Sequence, residues 1–213
     1  MAAIFDPKVL HQVARASLPL PIGEKVKFIH AELAQRYPGR IVGKPEWVLN
    51  VAGGSMGQLC LLHASLSEYV IIFGSPLGTE GHTGRFRATD WFHILDGEQQ
   101  AFEEGALTAE IYRPGDQHIM PAGVAKGYKM LPNTWALEYA LGNIPSMLPF
   151  GLADSITSTL DFQSVAKTFR MYGKATVKNL LVDLRGPGRA PQPAPRAETP
   201  AWPVRAPRSG APS

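Results

Sequence analysis

Between Glu46 and Leu141 the apolar positions recur every second residue, in short runs: WVLNVA, LCLLHASL, EYVIIFG, GRFRATDWFHILDG, TAEIYRPG, HIMPAG and NTWALEYAL. Turns that are rich in glycine or contain proline separate them, among them GGSMG, GTEGHTG, PGD and LPN. A period of two is that of a strand, and strands this short and closely spaced predict a sandwich or small barrel. On either side the period lengthens to that of a helix. Asp6 followed by Pro7 makes an N-cap and first turn. Val9, Leu10 and Val13 form one apolar face; after the break at LPLPIG, Val26, Phe28, Ile29, Leu33 and Tyr37 resume it, and YPGR ends it. Beyond Gly142, IPSMLPFGLADSI is apolar and broken by proline. A longer amphipathic helix follows, capped by Asp161. Phe162, Val165, Phe169, Tyr172, Val177, Leu180, Leu181 and Leu184 form its apolar side, with Lys167, Arg170, Lys174, Lys178 and Arg185 on the rest. The expected organisation is an N-terminal helical segment (1–40), a β body (41–142), C-terminal helices (143–185) and a tail (186–213). No internal repeat is visible.

Composition changes this picture little. The 213 residues are 45% apolar and 18% charged, enough to bury a core as one domain. The formal charge of +3 arises in the tail, where Arg189, Arg196, Arg205 and Arg208 face only Glu198. The body is therefore near neutral. Eight of the 19 prolines lie in the same 28 residues, so the tail reads as a disordered, solvated linker and not as a nucleic-acid arm. A single cysteine, Cys60, excludes an internal disulfide and a cysteine-based zinc site. No apolar run is long enough to span a bilayer and no signal peptide opens the chain, so contact with a membrane is expected to be along its surface.

The chemistry begins at NTWALEYAL. Glu138 is a lone carboxylate among Trp135, Leu137, Tyr139 and Leu141, and an ionised group buried there is costly unless something pairs with it. Two local motifs bear on this chemistry. GGSMG (53–57) fits the G-x-S-x-G nucleophile elbow, but a strand-like stretch follows where a helix is required, so a glycine-rich hairpin is expected. PGDQHIMPAG (114–123) resembles the second motif of cupin barrels, with Gly115, Pro121 and Gly123 in place. Lys126 stands where cupins carry their metal-binding histidine, and the six histidines supply no H-x-H pair. A protonated lysine cannot ligate a metal. A cupin-like barrel without a metal or other cofactor is expected.

The longer stretches AGGSMGQLCLLHASLSEYVIIFG (52–74), GTEGHTGR (78–85) and NTWALEYALGNIPSMLPFGLADSITSTLDF (133–162) resemble the sterol delta-8/delta-7 isomerases of fungi and the animal sigma non-opioid receptor. The resemblance runs from about Phe5 to Leu184, and DWFHILDGEQ and MLPFGLAD are more similar to the isomerase branch. It implies a mainly β, cupin-like barrel with N-terminal helices and two C-terminal amphipathic helices flanking it against a membrane, and a homotrimer. The implied location is the endoplasmic reticulum in a eukaryote or the cytoplasmic membrane in a bacterium. The family usually begins with a transmembrane helix; none is expected in this chain.

By the same resemblance the glutamate that grips an ammonium in the receptor falls on Glu138, and its supporting tyrosine on Tyr69. The receptor's second carboxylate falls on Phe92, which cannot ionise. Strand alternation then points to Asp90, two residues earlier on the same face and displaced by roughly 6–7 Å; Thr89, Trp91 and His93 face the other way. His93 and Asp96 are the next candidates. Met56, Leu59, Leu61, Ile71, Phe73, Phe92, Met130, Leu148 and Tyr172 match ligand-contacting positions of the family, and Ser55 replaces an aromatic residue there. The implied activity is a cofactor-free shift of a sterol ring double bond from delta-8 to delta-7, with Glu138 and Asp90 as the acid/base pair. The alternative is a non-catalytic, receptor-like binder of sterols or lipophilic amines.

Overall fold

A computed structural model describes residues 3–184. Arg185 and the residues expected to form the disordered tail lie outside the described residues. The two opening helices are α1 (Pro7–Ser17) and α2 (Ile22–Arg36). Asp6 caps α1 as expected, its carboxylate accepting a 2.8 Å hydrogen bond from the Lys8 amide. Ten strands follow: β1 (Trp47–Ala52), β2 (Ser55–Ala64), β3 (Glu68–Ser75), β4 (Thr79–His82), β5 (Ala88–Asp96), β6 (Gln99–Phe102), β7 (Glu110–Tyr112), β8 (Gln117–Met120), β9 (Gly127–Met130) and β10 (Thr134–Gly142). A short 3-10 turn (Ile144–Met147) leads into α3 (Leu148–Thr157) and α4 (Phe162–Leu184).

All strand pairs are antiparallel. They build two sheets, a six-stranded one in the order β1-β2-β3-β10-β5-β8 and a four-stranded one in the order β4-β9-β6-β7. The fold is mainly β and cupin-like, two sheets enclosing a cavity rather than one continuous closed ladder. Three of the strands escape the sequence pattern. β6 and β9 have four residues each and carry too few apolar positions to register, and β4 lies inside GTEGHTG, read above as a turn. They are strands because each finds a partner in the small sheet.

The GGSMG segment is a hairpin, as expected. Gly53 and Gly54 take φ of 60° and 83°, the left-handed pair that a tight two-residue turn requires. A Cβ on Gly53 would lie 2.2 Å from the His82 carbonyl oxygen, so this turn also seats β4.

The large sheet has two unlike faces. Its outer side, formed by Leu62, Val70, Ile72, Leu95, Trp135, Leu137 and Tyr139, packs against Leu10, Val13, Ile29 and Leu33 of α1 and α2. Its inner side faces the cavity. At one end of that cavity the 3-10 turn, α3 and α4 close over Ala88 and Ala140; at the other, Phe73, Ile94, Met130 and Ala136 fill the floor.

Helix α4 packs through a narrow line of Met171, Ala175 and Asn179. Its large apolar residues Phe162, Phe169, Val177, Leu180, Leu181 and Leu184 are exposed. Part of its expected cationic face is tied inward. Lys167 and Lys178 each donate a 2.6 Å hydrogen bond to the backbone, at Trp47 and Ile41, and Arg170 pairs with Glu46 at 2.8 Å. Among the described residues no helix is long and apolar enough to cross a membrane.

Candidate active site

β10 is the middle strand of the site, paired with β3 on one side and β5 on the other. Its alternation sends Trp135, Leu137, Tyr139 and Leu141 outward to the helices, which accounts for the apolar neighbours of Glu138. Inward it presents Ala136, Glu138 and Ala140. The two alanines flank the carboxylate with little bulk and leave room for a ligand.

Glu138 is opposite Ile71 on β3 and Phe92 on β5, while Ala140 is opposite Tyr69 and Asp90. Tyr69 and Asp90 are thus both diagonal neighbours of Glu138, one from each side, within reach of its side chain. The Tyr69 hydroxyl donates a short hydrogen bond to Glu138 Oε1. Asp90 is 2% exposed, and its Oδ1 has no hydrogen-bond partner among the described residues.

Burial in an apolar wall penalises charge and so raises both carboxyls. Glu138 rises to about 7, restrained by the hydrogen bond from Tyr69. Asp90 rises well above the usual carboxylate range, first through burial and then through the negative charge of Glu138. Tyr69 is also pushed well upward, mainly by burial, so it keeps its proton and acts as a donor. Burial and the mutual proximity of the two carboxyls thus both favour the protonated form.

The surrounding cavity is about 200 Å³. The structure brings together on its wall Glu138, Asp90, Tyr69, Leu59, Leu61, Ile71, Phe73, Phe92, Met130, Leu148 and Tyr172, all expected there, together with Ser55. Met56 is a correction. It is 53% exposed and does not line the cavity, because Ser55 takes the inward position at the start of β2 and alternation turns the next residue out.

His93 and Asp96, the reserve candidates, do not line the cavity either. His93 lies beneath α1, its Nδ1 3.2 Å from both His11 Nδ1 and Gln117 Nε2; burial holds its pKa down to about 3. Asp96 pairs with Lys25 at 3.4 Å. Gln99, Tyr128, Phe86 and Phe150 also line the cavity and were missed. Gln99 and Ala101 are the buried positions of β6, a strand too short to signal itself in the sequence.

Lys126, at the cupin metal position, is buried and bonded to both oxygens of Glu110 at 2.8 and 2.6 Å, outside the cavity lining. Among the described residues no three His, Cys, Asp or Glu side chains are grouped to hold a metal ion.

The sequence as a whole is similar to known proteins. The profile of the family described as "ERG2 and Sigma1 receptor like protein" matches residues 1–184, and the chain belongs to that family. It is 47% identical over 182 residues to a C-8 sterol isomerase of Aspergillus fumigatus, covering 84% of this chain and 76% of that one. A Gibberella zeae C-8 sterol isomerase is 46% identical, with 84% and 77% covered. The sigma non-opioid intracellular receptor 1 of Xenopus tropicalis is 40% identical over 174 residues, with 81% and 79% covered. Among solved structures, an RmlC-like cupin from Shewanella frigidimarina covers 51% of this chain and 94% of its own at 18% identity, with a TM-score of 0.40.

Proposed function

We propose that this chain is a sterol isomerase that moves a ring double bond from delta-8 to delta-7. The observation that carries this reading is the pair Glu138 and Asp90, diagonal across Ala140 on an apolar wall, with Asp90 Oδ1 free of any partner among the described residues.

The reaction uses one proton in and one proton out. Asp90, whose Oδ1 has no partner among the described residues, donates to C9, and the C8–C9 π pair forms the new C9–H bond, leaving a cation at C8. Glu138, whose charge Tyr69 supports, stabilises that cation and accepts the proton from C7. The C7–H pair becomes the C7–C8 π bond, and passage of the proton from Glu138 back to Asp90 restores the pair. General acid–base steps of this kind contribute about 10²–10⁴ in rate. Incubating purified protein with a delta-8 sterol and reading the product by mass spectrometry tests the reading: delta-7 product supports it, unchanged substrate overturns it.

The second reading, a binder of sterols or lipophilic amines without catalysis, rests on the sigma-receptor relatives and on Glu138 as an anionic anchor. The unpartnered acid at Asp90 favours the enzyme.

The ligand reaches the cavity from a membrane surface along the helices. The exposed apolar side of α4 supports this, since such a face in a helix that cannot span lies in a bilayer interface. Vesicle co-sedimentation is expected to weaken with salt yet persist, because screening removes charge attraction and not apolar burial. Protein wholly in the supernatant at every salt concentration contradicts it. Self-association as a homotrimer would cover the exposed Phe102, Ile111 and Ile119 of the strand edges, and light scattering on the purified protein reads the mass directly.

A further inference from the structure

The cavity has a second polar feature, across from Glu138 and towards the floor. Gln99 of β6 sits beside Met130 in the register of β9 and lines the cavity while being 1% exposed. One end of its amide is held by His118 Nδ1 at 3.3 Å; the other end has no hydrogen bond to any described residue. His118 is itself fixed, stacked on Tyr112 with ring centroids 4.3 Å apart and planes 16° from parallel. Tyr112 donates a 2.6 Å hydrogen bond to Glu110, which Lys126 grips in turn. The amide is thus held rigidly with one polar atom turned to an apolar space. Such an atom loses water without compensation unless a ligand replaces it.

The other neutral polar groups on the wall are nearly all engaged within the chain. Asn50 donates to the Gly151 carbonyl at 3.1 Å, and the Ser55 and Tyr128 hydroxyls lie 2.5 Å apart. Thr83 accepts from the Lys126 amide at 2.9 Å, and His82 accepts from the Gly84 amide at 2.9 Å.

Taking the sterol reading above as the basis, we infer that Gln99, positioned by His118, is the binding group for the sterol's ring hydroxyl. The hydroxyl end enters first and lies on the floor, and the hydrocarbon tail remains under α3 and α4. A hydroxyl both donates and accepts, so it satisfies whichever atom of the amide faces the cavity. The bond anchors one end of a rigid ring system, and that sets which ring carbons stand against Asp90 and Glu138.

The test compares a delta-8 sterol with its 3-deoxy analogue on wild-type protein and on Gln99→Met and Gln99→Leu variants. The wild type is expected to favour the alcohol in kcat/KM by about tenfold, the size of one net hydrogen bond, and both variants by a factor near one. Binding of a lipophilic amine without a hydroxyl reports whether each variant keeps its cavity. If the wild type converts neither sterol, the isomerase reading fails by itself, and the inference is then read from how well alcohol and deoxy compound displace that amine. A wild type that does not discriminate, or a variant with an intact cavity that discriminates as the wild type does, overturns the assignment.

Discussion

The large sheet carries one glutamate on each of its faces, and the two are treated in opposite ways. On the outer face Glu68 is 1% exposed and accepts from the Ile4 amide at 2.7 Å, the Phe5 amide at 3.1 Å and the Tyr139 hydroxyl at 2.9 Å. It pins the chain's N-terminal segment beneath the helices. On the inner face Glu138 has the Tyr69 hydroxyl and the neighbouring acid Asp90. A carboxylate given three donors is a joint in the structure, because its charge is already solvated by the protein. A carboxyl given one donor and a second carboxyl is kept short of partners, and that shortage holds a proton where chemistry can use it.

Exchanging each glutamate for its neutral isostere separates the two roles most widely. Glu138→Gln is expected to lower turnover by roughly 10³-fold or more while the protein folds, and to weaken binding of cationic amines. Glu68→Gln is expected to leave turnover per folded molecule largely intact and to destabilise by about 1–3 kcal/mol, since the amide can no longer accept at both oxygens. Activity assays beside denaturant titrations read both. An active Glu138→Gln variant removes the contrast.

Asp90→Asn comes next in size. It removes the proton donor and keeps the anionic anchor, so a loss of about 10²-fold or more in turnover is expected with amine affinity largely retained. Loss of both together would make Asp90 part of the anchor and leave the donor unidentified.

The pH dependence of stability sharpens the comparison further. The folded-state pKa of Glu138, about 7, lies above its unfolded value, so between the two the native state holds more protons than the unfolded one. Stability therefore falls as pH rises from about 4.5 to 7, by on the order of 1–3 kcal/mol. Glu138→Gln should flatten this slope in thermal melts and raise the melting temperature at pH 8 more than at pH 5. An unchanged slope means the Glu138 carboxyl is not raised.

The smallest effect is expected from Tyr69→Phe. Losing one donor removes the restraint on Glu138, whose pKa rises further, so the acid limb of the pH–rate profile, set by this base, should move upward while turnover falls about tenfold.

How legible this was in the sequence follows the same division between faces. The resemblance that set Phe92 beside Glu138, together with the alternation in ATDWFHILD, placed Asp90 near Glu138 and His93 away, because successive side chains of a strand point to opposite faces. Met56 was misplaced by following the resemblance over the alternation that Ser55 sets. Glu68 was invisible because its partners, two backbone amides and the Tyr139 hydroxyl, lie more than 60 residues away and leave no trace in local pattern. Gln99 was missed with β6 itself, since four residues cannot show a period and the strand exists through its partners β7 and β9. On α4 the polarity pattern found an amphipathic helix, but the residues that dock it are Met171, Ala175 and Asn179, none of them in the apolar side read from the sequence, and Phe162, Phe169, Val177, Leu180, Leu181 and Leu184 remain outside.

The central claim is that a proton held by the Asp90–Glu138 pair is delivered to the ring. A single turnover in heavy water, with the protein pre-equilibrated and in excess over a delta-8 sterol, measures this directly. The account predicts a delta-7 product carrying one deuterium, located at C9, from the wild type, and little product from Asp90→Asn. Delta-7 product without deuterium at C9, or equal labelling and rate in Asp90→Asn, would contradict it.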